Sequence, residues 1–258
     1  RMTMSFHPLL IGGNPFSVTS VYTLISYLEQ RWGVWSAMGG TGSIVKGMAG
    51  LIEGQGGKIE CNAEVEEILV ENGNAKGVRL RDGRVLHSDL IVSNADAAWT
   101  YRHLIDARHR KRWTDRKIER SHYSNGLFVW YFGTKGQYED VPHHSVILGP
   151  RYRGLLDDIF KRKVLADDFS LYLHRPTETD PSMAPEGKHT LSANIMYIPY
   201  QKNDGWSKED KNELIERIID TISQYSPNIR DNILHSELLT PLDLEKEFNL
   251  TGGHWHHG

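Results

Sequence analysis

The stretch Gly39–Asp96, GGTGSIVKGMAGLIEGQGGKIECNAEVEEILVENGNAKGVRLRDGRVLHSDLIVSNAD, decides how the chain is read. Ile44, Val45, Met48, Leu51 and Ile52 recur at helical spacing and predict one amphipathic helix after the glycine-rich turn. Gly56-Gly57 predicts its end, because glycine accepts the left-handed geometry of a C-cap. Lys58 to Asn62 reads as the start of a strand, which Val65, Ile68 and Val70 continue. Asn72-Gly73-Asn74 and Asp82-Gly83 are hairpin turn signals, built from residues that tolerate positive φ. Leu90-Ile91-Val92 predicts a short buried strand running into Ser93-Asn94-Ala95-Asp96. In this arrangement Ile44 and Met48 would face the sheet.

Working outward, the residues before Gly39 are unusually free of charge: Met2 to Leu28 contains no Asp, Glu, Lys or Arg. Pro8, Gly12-Gly13, Asn14 and Pro15 interrupt the run, whereas a membrane-spanning helix needs about 20 predominantly apolar residues. A buried loop and helix is the plain reading. An apolar tunnel wall, or a face lying on lipid, is the functional one. Val21, Leu24, Ile25 and Leu28 form the helix stripe, with Trp32 and Trp35 after it.

Beyond Asp96, Trp99 to Leu104 predicts a continuing helix. Ala107 to Arg120 is strongly basic, which suits a solvated helix face or attraction to anionic lipid. Gly126 to Gly133 (GLFVWYFG) has the length and composition of a strand, and Val146–Leu148, Phe169–Leu173 and Leu191–Ile198 are further strands. Together they predict a sheet around Phe128, Ser170 and Ile195. Gly154 to Phe160 predicts a short helix. Ser207 to Tyr225 predicts a longer one, with a Leu214, Ile215, Ile218, Ile219 and Ile222 stripe, a Ser207/Asp210 capping box and Pro227 beyond its end.

Bulk properties narrow the functional classes. At 258 residues the chain holds one large domain or two small ones, and 39% hydrophobic with 24% charged residues is a globular composition. A net charge of −3 gives no basic field for nucleic acid. Cys61 is the single cysteine, which excludes an intrachain disulfide scaffold and agrees with a cytoplasmic setting. No G-x-S-x-G, P-loop, H-E-x-x-H or C-x-x-C pattern occurs. His254, His256 and His257 cluster near the end without an accompanying acid or thiol, so no metal site is predicted there. His143 and His144 follow Pro142 in a loop and read as surface residues.

The central stretch resembles the second half of the FAD-binding domain in amine-oxidase-like flavoenzymes, most closely the bacterial phytoene (carotenoid) desaturases. The shared pattern runs GG-x-G, helix, GG-x-I-x-x-N-x-x-V-x-x-I, a DG turn and V-S-N-A-D. Ser124–Val129, Tyr131–Gly133, His143-His144, Gly149–Arg153, Asp168–His174 and the terminal His257-Gly258 also resemble that family. The preceding TGGHWH departs from the desaturase pattern towards a neighbouring branch of FAD-dependent oxidoreductases.

The resemblance implies a mixed α/β (α+β) fold: part of a Rossmann-like FAD-binding domain plus a mixed-sheet substrate-binding domain with helices. Residues 1–38 would belong to the substrate lobe, 39–105 to the FAD-binding half and 106–258 to the substrate domain. It implies FAD as cofactor, with Glu64 and Val65 of the N-x-E-V-x-x-I strand beside the adenine and Asn94 nearby. A plain core valine at Val65 and a helix-capping role for Asn94 and Asp96 are the competing readings. It implies desaturation of a carotenoid such as phytoene, in which the flavin carries the redox step and the protein supplies orientation and exclusion of water. A substrate without polar handles needs an apolar site. Phe6, Leu24, Phe128 and Trp130 are therefore the expected lining, and Arg151 an expected cation at the mouth or a plain surface residue. No catalytic side chain is predicted.

A complete flavoenzyme of this kind opens with a G-x-G-x-x-G strand–turn–helix, and none is found here. An internal fragment with weak FAD binding of its own is expected, cytoplasmic and peripherally membrane-associated. The alternatives are a related FAD-dependent oxidoreductase acting on another lipid, a retinoid or an amine, or a non-catalytic lipid- or partner-binding module.

Overall fold

The computed structural model describes residues 7–136, 138, 140–198 and 206–255. Phe6, His256, His257 and Gly258, all named above, lie outside the described residues. The fold is mixed α/β, with two antiparallel sheets of three and five strands.

Helix α1 (Thr23–Trp32) and helix α2 (Thr41–Gly54) come first. The α2 terminus is a Schellman motif: the Gly57 amide donates to the Ile52 carbonyl, the Gly56 amide to Glu53, and Gly56 has φ 84°. The small sheet follows, with strands β1 (Val65–Glu71), β2 (Asn74–Leu80) and β3 (Val85–His87) in spatial order. Glu71 pairs with Asn74, leaving Asn72 and Gly73 as a two-residue turn, both at positive φ. That is the turn whose twist matches the flanking strands.

Three expectations fail in this region. Lys58–Asn62 forms no strand and is exposed. Leu90–Val92 is neither paired nor buried, and Val92 is 82% exposed. No residue of α2 is buried, and Ile44 and Met48 are 51% and 61% exposed rather than packed on the sheet. Leu90–Val92 and α2 share one cause. An apolar run signals that a covering surface is needed, and the described residues do not supply one. Val21, Leu24 and Leu28 of the first stripe are likewise exposed, so the buried-helix reading of this segment also fails.

Short helix α3 (Ala97–Trp99) continues as a wider π turn over Thr100–Leu104, and α4 (Asp115–Glu119) follows. The large sheet is built from β4 (Gly126–Lys135), β5 (His144–Ile147), β6 (Leu171–His174), β7 (Lys188–Ile198) and β8 (Ile233–Leu239). Its order is β5-β6-β7-β4-β8. Between β5 and β6 lies α5 (Tyr152–Asp157), extended by a π turn to Arg162. Helix α6 (Lys208–Ser223), α7 (Ile229–Asn232) and α8 (Pro241–Phe248) complete the second half.

Strand β4 explains how GLFVWYFG can be apolar throughout. Phe128, Trp130 and Phe132 pack with Leu191, Ala193 and Ile195 of β7 and with Leu214, Ile218, Ile219 and Ile222 of α6. Leu127 and Val129 point the other way, onto Leu244 of α8. Both faces are covered over Gly126–Trp130, so alternation disappears there, and cover is lost on one face only, at Tyr131, 43% exposed. The predicted Ser207/Asp210 capping box is present at the start of α6, and Thr240/Asp243 makes the same box at α8. Strand β8 and helix α8 have no counterpart in the sequence-based expectation.

Candidate functional site

A cleft of about 210 Å³ lies where the start of α2 meets the ends of β5 and β6. The Gly39 amide donates to Asp180 Oδ2, which ties the glycine turn to the loop after β6. Gly40 packs so closely that a Cβ there would sit 2.9 Å from Met183 Cε. His143 and His174 line the cleft together with Thr179 and Asp180.

His144 and His174 face each other across the β5–β6 ladder. His143 Nε2 lies 2.9 Å from His174 Nε2, His143 Nδ1 is bonded to Thr179 Oγ1, and His144 Nδ1 lies 2.6 Å from the Tyr172 hydroxyl. Burial depresses His174, helped by the neighbouring His143 and His144, to about 4. Burial also lowers His143 and His144, with Arg175 and His143 respectively adding to it. All three imidazoles are therefore neutral at neutral pH. The surface reading of this pair is thus incomplete: His144 is exposed, but His143 is half-buried and joined to a third histidine. The signal that points to it is the Tyr172–His174 spacing, which puts both side chains on one face of a strand.

A second centre joins the middle of the chain to its end. Asp96, 3% exposed, caps α3 by accepting from the Trp99 amide. It also accepts from Thr251 Oγ1 at 2.6 Å and lies 3.0 Å from His254 Nε2. His254 is fully buried, and its Nδ1 faces the Thr251 carbonyl. Burial alone would raise the Asp96 carboxyl, but these hydrogen bonds outweigh it and hold it well below the usual carboxylate range. Beside it a cleft of about 260 Å³ runs along Tyr101, Trp113 and Lys117, with the Lys117 ammonium over the Trp113 ring.

The residues singled out from sequence are scattered. Val65 begins β1, half-buried and paired with Leu80, while Glu64 forms an exposed ion pair with Arg81 at 2.8 Å. Asn94 is exposed and caps nothing described. Leu24 is exposed on α1. Phe128 and Trp130 sit in the core of the large sheet, at 0% and 1% exposure. Arg151 is committed to Asp158, at 3.3 Å, and to Asp168. In the basic run, Arg108 and Arg110 take carboxylate partners, and Lys111, Arg112, Arg116 and Arg120 are exposed. Among the described residues no helix is long and apolar enough to cross a membrane.

The fold and the glycine-turn, strand and V-S-N-A-D sequence define a class, and comparison bears it out. The family of flavin containing amine oxidoreductases matches residues 1–254, and the chain belongs to that family. It is 48% identical over 247 residues to "Phytoene desaturase (neurosporene-forming)" of Cereibacter sphaeroides, covering 93% of this chain and 47% of that protein. To "Phytoene desaturase (lycopene-forming)" of Pseudescherichia vulneris it is 44% identical over 246 residues, covering 94% of this chain and 50% of that protein. The chain thus spans about half the length of these relatives. Among solved structures it is similar to an oxidoreductase from Methanosarcina mazei, with a TM-score of 0.59 at 22% identity, over 92% of this chain and 51% of that one.

The described residues do not by themselves build a dinucleotide cradle. Such a cradle needs a glycine-rich turn at a strand–helix junction, whereas Gly39–Gly42 opens α2 from a loop. None of the clefts at the start of α2, beside Asp96, near Phe16 or near Arg79 is lined by Glu64, Val65 or Asn94.

Proposed function

We propose that this chain is part of a FAD-dependent desaturase that introduces double bonds into a carotenoid such as phytoene. The observation that carries the reading is the 48% identity to a phytoene desaturase, which extends over 93% of the chain and so takes in both sheets. The residue chemistry agrees with it. A hydrocarbon substrate offers no group for a side-chain nucleophile or base, so the redox step falls to the flavin and the protein's share is orientation and exclusion of water.

Glu64, Val65 and Asn94 are proposed as an edge of the FAD site. Val65→Asp in the whole protein should lower its flavin content, because a desolvated carboxylate would face the adenine. Unchanged flavin content would remove the assignment. Leu24 and Arg151 remain proposed neighbours of the substrate path, Leu24 through its exposed apolar side chain. Phe128 and Trp130 support the sheet from behind. Peripheral membrane docking is proposed as well, supported by the exposed apolar residues Val21, Leu24, Trp32 and Trp35.

The reading is tested by expressing the whole protein in cells that accumulate phytoene. Coloured products of extended conjugation are expected; colourless cells that contain the folded flavoprotein would contradict it.

A further inference from the structure

His143, His144 and His174 each offer a ring nitrogen, and the three nitrogens lie within 4.8 Å of one another. Two of the rings are oriented by partners on their other nitrogen: Thr179 Oγ1 holds Nδ1 of His143, and the Tyr172 hydroxyl holds Nδ1 of His144. A hydrogen-bonded partner on the far nitrogen is what fixes tautomer and direction in metal-ligating histidines. Nε2 of His143 is then left facing Nε2 of His174 at 2.9 Å. A tetrahedral centre with bonds of about 2.0–2.1 Å places its nitrogens about 3.3 Å apart, inside the range spanned here.

We propose that these three histidines form a binding site for a divalent transition-metal ion of the zinc class, with its remaining position open to the cleft beside Thr179. Imidazole donors favour such ions over Mg²⁺ or Ca²⁺, which prefer oxygen ligands. The nearest carboxylate lining the cleft, Asp180, is already engaged by the Gly39 amide and by Ser182. Binding needs only a tautomer exchange on the His143–His174 pair, the shared proton moving to an outer Nδ1. A bound ion would clasp β5 to β6 and, through the Asp180 loop, brace the glycine turn before α2.

The test is calorimetric titration of the chelator-treated whole protein with ZnCl₂ in the presence of excess Mg²⁺, repeated for three variants. His174→Gln and His144→Gln should each weaken zinc binding by about 10- to 100-fold or more. The double variant His256→Gln/His257→Gln, which removes the terminal histidines, should bind as the parent does. Far-ultraviolet circular dichroism checks folding, and exposed His144 decides if His174→Gln unfolds. Cobalt(II) should give a visible d–d spectrum in the parent that both single variants lose. The proposal is overturned by the absence of zinc binding, by parent-like binding in folded His144→Gln or His174→Gln, or by loss of binding in the terminal-histidine variant alone.

Discussion

Asp96 is the residue where sequence and structure divide most clearly. Its position at the end of V-S-N-A-D makes it a legible helix cap, and it does cap α3. Its partners Thr251 and His254 lie at the far end of the chain, and no local pattern points to them. Neighbouring Gly253 makes the arrangement possible: it has φ +72°, and a Cβ there would come within 2.1 Å of the Pro241 carbonyl. Removing one partner of a buried hydrogen bond leaves the other polar group desolvated and unsatisfied. His254→Ala should therefore cost about 1–3 kcal/mol, read by denaturant unfolding; a loss near zero would show that the contact carries no weight. The sign with pH follows from the lowered Asp96 carboxyl. A depressed carboxylate stabilises the fold above its unfolded value of about 4 and loses that contribution as pH falls below it. Between pH 6 and pH 3 the parent should lose stability more steeply than Asp96→Asn, which starts lower. Parallel curves would contradict the assignment.

Two helices of similar amphipathic pattern meet opposite fates. Helix α6 buries Leu214, Ile218, Ile219 and Ile222 under the large sheet, while α2 buries nothing. Periodicity reports which face of a helix seeks cover, not whether the cover is present, so α6 was legible in full and α2 only as a helix. The same reason explains Leu90–Val92. Turns fared better, because Asn72-Gly73 and Gly56 act through their own backbone preferences. Strand β8 escaped detection because it is an edge strand whose middle residues, His235, Ser236 and Glu237, are exposed and polar. Of the candidate site, the His143-His144 pair was visible but its joining to His174 depends on strand pairing. The contrast between the helices is measurable in this chain. Ile218→Ala should cost about 2–5 kcal/mol, whereas Met48→Ala should stay within about 0.5 kcal/mol. Equal losses would mean that α2 is packed after all.

On the scale of the whole molecule, the proposed division at residues 38/39 and 105/106 sets the small sheet apart from the large one. Apolar side chains of α1, α2 and the segment around Trp35 are exposed together with the basic run after Ala107. For the proposed membrane docking, burial of apolar area contributes roughly 25 cal/mol per Å². Pairing of Arg108 and Arg110 with carboxylates leaves a reduced share to anionic lipid. The whole protein should thus co-sediment with both neutral and anionic vesicles, somewhat better with the latter; a protein that stays in the supernatant with both would contradict docking. The central claim is that a flavin oxidises a carotenoid in the protein to which this chain belongs, and anaerobic mixing of the purified whole flavoprotein with phytoene in vesicles tests it most directly. The account predicts bleaching of the oxidised flavin absorption, with one new carbon–carbon double bond formed per flavin reduced. A flavin that stays oxidised while phytoene is recovered unchanged would contradict it.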